Sequence, residues 1–133
     1  MKVVFADTFY YLALVNPADV RHPQALAYTA TFQGRMVTTA WIVTELADAL
    51  SDPSTRPAFL QVLTQLRADP DVTIVPPDTG PFEDGLRLFA ARPDKEWSLT
   101  DCISFVVMQR EGIIEALTGD RHFEQAGFVA LLK

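Results

Sequence analysis

Lys2-Val3-Val4-Phe5-Ala6-Asp7-Thr8-Phe9, running on through Tyr10–Val15 to Asn16-Pro17, sets the pattern by which the rest of the chain is read. Lys2–Ala6 is short, apolar and rich in valine, as a buried strand should be, and it ends at an acid. Thr8–Val15 then reads as a brief helix. Asn16-Pro17 stops it, because a residue before proline is pushed out of the helical region. Outward from this unit the alternation repeats. Arg21–Phe32 reads as a helix ending at Gly34, Met36–Thr38 as a short strand and Ala40–Leu50 as a helix. Ser51-Asp52-Pro53 breaks the chain before a helix over Ser54–Arg67, and Val72–Val75 is a β-branched strand closed by Pro76-Pro77. A helix near Phe82–Ala91, an irregular stretch Arg92–Glu96, a helix Ser98–Glu111 and strands Ile113–Thr118 and Phe128–Leu132 complete the chain. Short strands alternating with helices predict an α/β fold, a central parallel β-sheet flanked by helices. Ligands in such folds gather beyond the carboxyl ends of the strands.

A length of 133 residues suits one domain, and 49% apolar residues suffice for a core without staples. The lone Cys102 excludes an internal disulfide and fits a reducing compartment. No apolar run nears the ~18 residues of a membrane span. Asp7 interrupts the N-terminal apolar stretch too early for a signal peptide. The expectation is a cytoplasmic protein. A net charge of −6 and a pI near 4.7 stand against nucleic-acid binding by phosphate neutralisation alone. If the substrate is RNA, bound cations must mask some of the acids.

Four carboxylates fall where ligands would gather. Asp7 follows the first strand, and taken singly an N-cap of the next helix is the better explanation of it. Glu45 lies at the edge of an apolar helical face made by Ile42, Val43, Leu46, Ala49 and Leu50, between Trp41 and Ala49. A carboxylate so close to a core must be paired, metal-bound or snorkelling. Ser98-Leu99-Thr100-Asp101 has the form of a capping box, with Trp97 available as a staple against Cys102. Phe105 and Met108 on the same side turn Asp101 toward packed protein. Asp120 sits in a Thr-Gly-Asp turn and needs no function when taken singly. Together the four converge on one rim. Clustered carboxylates repel one another, so some would stay protonated unless a cation intervened. Mg²⁺ suits such a site, taking a few carboxylates and the phosphate oxygens of a substrate.

The chain resembles the PIN-domain ribonucleases, specifically the VapC-type toxins of toxin–antitoxin pairs. Val3-Val4-Phe5-Ala6-Asp7-Thr8-Phe9 is similar to that family's first strand and acid, and Thr44-Glu45-Leu46 to its second. The block Leu99-Thr100-Asp101-Cys102-Ile103-Ser104-Phe105, with Ala116-Leu117-Thr118-Gly119-Asp120-Arg121-His122-Phe123 and Gly127-Phe128, is the most specific part. Gly119 departs mildly from the pattern. The resemblance implies a single PIN-like domain over residues 1–133. It implies endoribonuclease activity, a Mg²⁺ or Mn²⁺ site made by Asp7, Glu45, Asp101 and Asp120, a homodimer and a cognate antitoxin. Thr8 and Thr118 would support the carboxylates, and Arg121 would touch RNA phosphate.

His122 beside the last acid is expected to pack or to contact RNA rather than ligate, because hard Mg²⁺ prefers oxygen. Arg21 and His22 open a helix near the rim and are further candidates for RNA contact. Tyr10-Tyr11-Leu12 and Phe59-Leu60 are read as core, and Cys102 as a small buried hydrophobe. Two phosphoryl-transfer folds fit poorly: Phe9 stands where a second Asp would be needed, and no Lys lies beside Thr118. A non-catalytic module of the same fold, binding RNA or protein, is the remaining alternative.

Overall fold

A computed structural model describes residues Met1–Lys133. Its elements run β1 (Val3–Ala6), α1 (Thr8–Val15), α2 (His22–Thr31), β2 (Arg35–Thr39), α3 (Ala40–Ala49), α4 (Arg56–Ala68), β3 (Val72–Val75), α5 (Thr79–Ala91), α6 (Leu99–Glu111), β4 (Glu115–Leu117), α7 (Arg121–Gln125) and β5 (Val129–Ala130). The five strands form one sheet in the order β3-β2-β1-β4-β5, with every pairing parallel. Phe5 is in register with Val37 on one side and Ala116 on the other, which makes β1 the centre of the sheet. The chain winds outward from β1 to β3, then crosses back to lay β4 against the opposite edge of β1. The strand order therefore reverses between β1 and β4, and a crevice opens beyond their carboxyl ends.

The central strand is buried on both faces: Val4, Phe5 and Ala6 have no exposed surface. Phe123 packs edge-on against Phe105, with ring centroids 5.0 Å apart, and lies 6.3 Å from Phe5. The helix α6 buries Cys102, Ile103, Ser104, Phe105, Val107 and Met108. It approaches α5 so closely at Gly85 that an added Cβ would stand 2.4 Å from Ile103 Cγ1. No helix is long and apolar enough to cross a membrane.

Several boundaries differ from the sequence reading. The helix α5 begins at Thr79 rather than near Phe82, because Pro81 sits in the first turn, where no intrahelical N–H is needed. Strands β4 and β5 are shorter than Ile113–Thr118 and Phe128–Leu132, although Leu131 and Leu132 still donate backbone bonds to Ala116 and Thr118. The short helix α7 has no counterpart in the sequence reading; five residues are too few to display a period. Ala49 is exposed, so the apolar face of α3 is narrower than expected and centres on Ile42, Leu46 and the adjoining Leu50. Tyr10 and Tyr11 are core, but Leu60 is 58% exposed and Phe59 only partly covered, because α4 buries no residue fully. Trp97 meets Phe105 edge to face, with ring centroids 5.1 Å apart.

Candidate active site

The loop after β1 carries the most deeply placed acid. Asp7 occupies the N-cap position of α1, yet its side chain caps nothing. Its carboxylate Oδ2 instead accepts a hydrogen bond of 2.8 Å from Thr118 Oγ1, just past the end of β4. The same Thr118 oxygen accepts from the backbone N–H of Asp120 at 3.1 Å. One hydroxyl thus ties the first and last acids across the β1–β4 boundary. Asp7 is 6% exposed, and burial pushes its carboxyl up from 3.8 to about 7. The charges of Asp101 and Glu45 add to that rise, while the Thr118 bond opposes it.

Glu45 reaches the same rim from α3. The buried Thr8, first residue of α1, donates its hydroxyl to Glu45 Oε1 at 2.5 Å. Thr44 and Asp48 face outward, as the helical spacing requires.

Asp101 is held by the capping box read from the sequence. Ser98 Oγ accepts from the Asp101 N–H at 3.0 Å, and Asp101 Oδ2 accepts from the Ser98 N–H at 3.1 Å. Burial raises the Asp101 carboxyl above its ordinary value; the Ser98 bond opposes the shift, and the Asp120 charge adds to it. Asp120 caps α7 through its Oδ1, which accepts the His122 N–H at 2.9 Å. His122 was expected to pack or meet RNA. Its Nδ1 lies instead 3.1 Å from Asp101 Oδ2 and 3.4 Å from Asp120 Oδ1, wedged between two acids. One ligand atom from each of Asp101, Asp120 and His122 falls within 4.8 Å of the others. The signal for this placement was Asp120 as an N-cap, which puts the residue two positions on beside it.

Gly119 has a steric reason. An added Cβ there would stand 2.5 Å from the ring of Phe9, so the α1 aromatic lies directly on the loop that carries Asp120. Arg121 is exposed, its guanidinium 3.8 Å from the equally exposed Glu96. His22 turns inward, its Nδ1 2.7 Å from the Ala13 carbonyl, and so does not present that nitrogen to a substrate. Cys102 is buried, which pushes its thiol up and away from the reactive thiolate.

Thr118 links Asp7 to Asp120, and the charges of Glu45 and Asp101 reach Asp7, so the four acids line one crevice, with the His122 imidazole lying between Asp101 and Asp120. The anion of Asp7 is poorly accommodated where it stands, and an oxygen-only set of four carboxylates suits a hard divalent cation. The residues present fit such an ion.

An α/β sheet that reverses at β1, with acids from four elements at that reversal, is the architecture of a known class: residues 4–129 match the PIN domain, and the chain belongs to the PIN domain family. Over 128 residues it is 29% identical to the 23S rRNA-specific endonuclease VapC20 of two Mycobacterium tuberculosis strains, covering 96% of this chain and 96% of the relative. The crystal structure of Mycobacterium tuberculosis VapC20, described as a Sarcin-Ricin loop cleaving toxin, superposes with a TM-score of 0.86 at 26% identity, covering 95% of this chain and 96% of that one. FitAcB from Neisseria gonorrhoeae shares the fold, with a TM-score of 0.66 at 18% identity over 96% of this chain and 94% of that chain.

Proposed function

We propose that this single-domain protein is a divalent-metal-dependent endoribonuclease and the toxin half of a toxin–antitoxin pair. The observation that carries the reading is the convergence of Asp7, Glu45, Asp101 and Asp120 at the β1–β4 crevice, in a chain similar along nearly its whole length to a 23S rRNA-specific endonuclease. Mg²⁺, or Mn²⁺ in its place, would be held by those four carboxylates. Bound there, the ion supplies a Lewis acid for the scissile phosphate and a means of generating a nucleophile from water at neutral pH.

The protein's own groups do the rest. Thr118 donates to Asp7 and Thr8 to Glu45, so each carboxylate keeps one oxygen fixed and the other free to ligate. Asp7, its carboxyl raised to about 7 by burial, would have to be deprotonated to ligate, so metal uptake would depend on pH. The capping box holds Asp101 on a helix start whose backbone N–H groups stabilise the carboxylate. His122 places its Nδ1 3.1 Å from Asp101 Oδ2 and 3.4 Å from Asp120 Oδ1, and so helps to fix the position of both side chains. Arg121, exposed beside the site, is the cation best placed to meet the RNA backbone. A homodimer, a cognate antitoxin and a cytoplasmic setting complete the proposal and follow from the VapC-type resemblance.

The test is cleavage of RNA, with 23S ribosomal RNA and a tRNA panel as substrates, in Mg²⁺, Mn²⁺ or EDTA, beside Asp101→Asn. Cutting that needs the metal and disappears in the variant supports the enzyme. A folded, metal-loaded protein that binds RNA yet cuts none of the panel would favour the non-catalytic module.

A further inference from the structure

An acidic chain that works on RNA cannot draw much affinity from phosphate neutralisation, so its substrate must be held partly by contacts that ignore charge. Stacking on aromatic rings is such a contact, because every nucleobase has a π-face. Two aromatic residues stand at the acidic rim without having been used by the site. Trp41 lies in the first turn of α3, just past the carboxyl end of β2, and is only partly buried. Phe82 lies in the first turns of α5, beyond the carboxyl end of β3, and is 37% exposed. Their ring centroids are 6.5 Å apart and their planes only 12° from parallel. Trp41 precedes Glu45 by four residues, one helical turn along the same face. The aromatic pair therefore continues the acidic wall from Glu45 toward the β3 side of the sheet.

We infer that Trp41 and Phe82 form a stacking platform for a nucleobase of single-stranded RNA, one that flanks the phosphate held at the acids. The inference rests on the ribonuclease reading and names the subsite by which the substrate is positioned. Four features favour a base as the occupant: near-parallel rings, partial exposure of both, continuity with the acids, and a net charge that disfavours purely ionic recognition. Recognition of this kind reads unstacked bases, as in loops and bulges, rather than paired helices.

The experiment uses the full chain carrying Asp101→Asn, so that RNA is bound without being cut. The probes are a mixed-sequence single-stranded 12-mer and the same oligomer with consecutive abasic sites, each titrated in Mn²⁺. The expected result is quenching of tryptophan emission by the intact oligomer and little by the abasic one. Trp41→Ala should weaken binding of the intact oligomer by roughly tenfold or more, while Trp41→Phe keeps most of it. Mn²⁺ affinity, measured with Asp101 intact, should stay unchanged in both, which a merely structural Trp41 would not guarantee. If Trp41→Ala fails to fold, Phe82→Ala carries the same expectation from an exposed position. Equal binding of the two oligomers, or wild-type affinity in the alanine variants, overturns the platform and leaves the nuclease standing. Absence of RNA binding in the parent, together with absence of Mn²⁺ binding and of RNA cleavage in the chain with Asp101 intact, overturns the platform together with the ribonuclease reading.

Discussion

The two halves of the acidic site hold their carboxylates by opposite means. On the β1 side, Asp7 and Glu45 are held by threonine hydroxyls, and Asp7 is nearly sealed from water. On the α6–α7 side, Asp101 and Asp120 are held by backbone N–H groups at helix starts and share an imidazole. Neutral hydroxyls fix a geometry without cancelling a charge, so in the proposed reading the β1 half is the one that needs a cation. Backbone N–H groups at helix starts partly answer the charge already, so the other half is self-supporting. A site built this way keeps its shape when empty at one side and gains its missing charge at the other.

Removing the charge from the waiting half should have the largest effect. With a folded-state carboxyl at about 7 against an ordinary 3.8, native Asp7 holds its proton more tightly than the unfolded chain does. Stability of the metal-free protein should therefore fall as pH rises from about 4 to about 7 and level off above. The three-unit shift corresponds to an upper bound on the order of 4 kcal/mol. Asp7→Asn should flatten that slope and raise the metal-free melting temperature at pH 8, while abolishing cleavage. Thermal unfolding across pH checks the first part, and a melting curve as steep in pH as the wild type's would refute it.

The hydroxyls come next. Thr118→Val removes the donor to Asp7 and the acceptor for the Asp120 N–H together, and should weaken Mn²⁺ binding by about 10- to 100-fold. Thr118→Ser should restore most of it, as a Mn²⁺ titration followed by electron paramagnetic resonance would reveal. Gly119→Ala forces the new methyl against Phe9 and should destabilise by about 1–3 kcal/mol, with Phe9→Leu relieving part of the loss in a denaturant melt. Ser98→Ala, on the self-supporting side, should cost only about 1 kcal/mol of stability and leave metal affinity within a few-fold.

Much of this was legible in the sequence because local rules and the final fold agree. Valine-rich runs became parallel strands, the Ser98–Asp101 box capped α6 as its spacing required, and Thr8 and Thr118 were already candidates for supporting the acids. Where reading failed, long-range geometry decided. Nothing local says that Asp7 will turn from capping α1 toward a threonine 111 residues away, or that burial rather than repulsion will dominate its pKa. Asp120 looked like a turn residue because the helix it caps is too short to announce itself, and the seat of His122 between two acids was hidden for the same reason. The Trp41–Phe82 pair joins helices that follow different strands, so only the folded chain brings it together.

The central claim is that the four acids hold a divalent cation whose arrival displaces the proton of Asp7. Calorimetric titration of Mn²⁺ into the full chain near pH 6.5, in two buffers of different ionisation enthalpy, counts that proton directly. The account predicts that the wild type binds the ion with proton release, and that Asp7→Asn binds far more weakly and releases almost none. Equal affinity and equal proton release in the two proteins would contradict it.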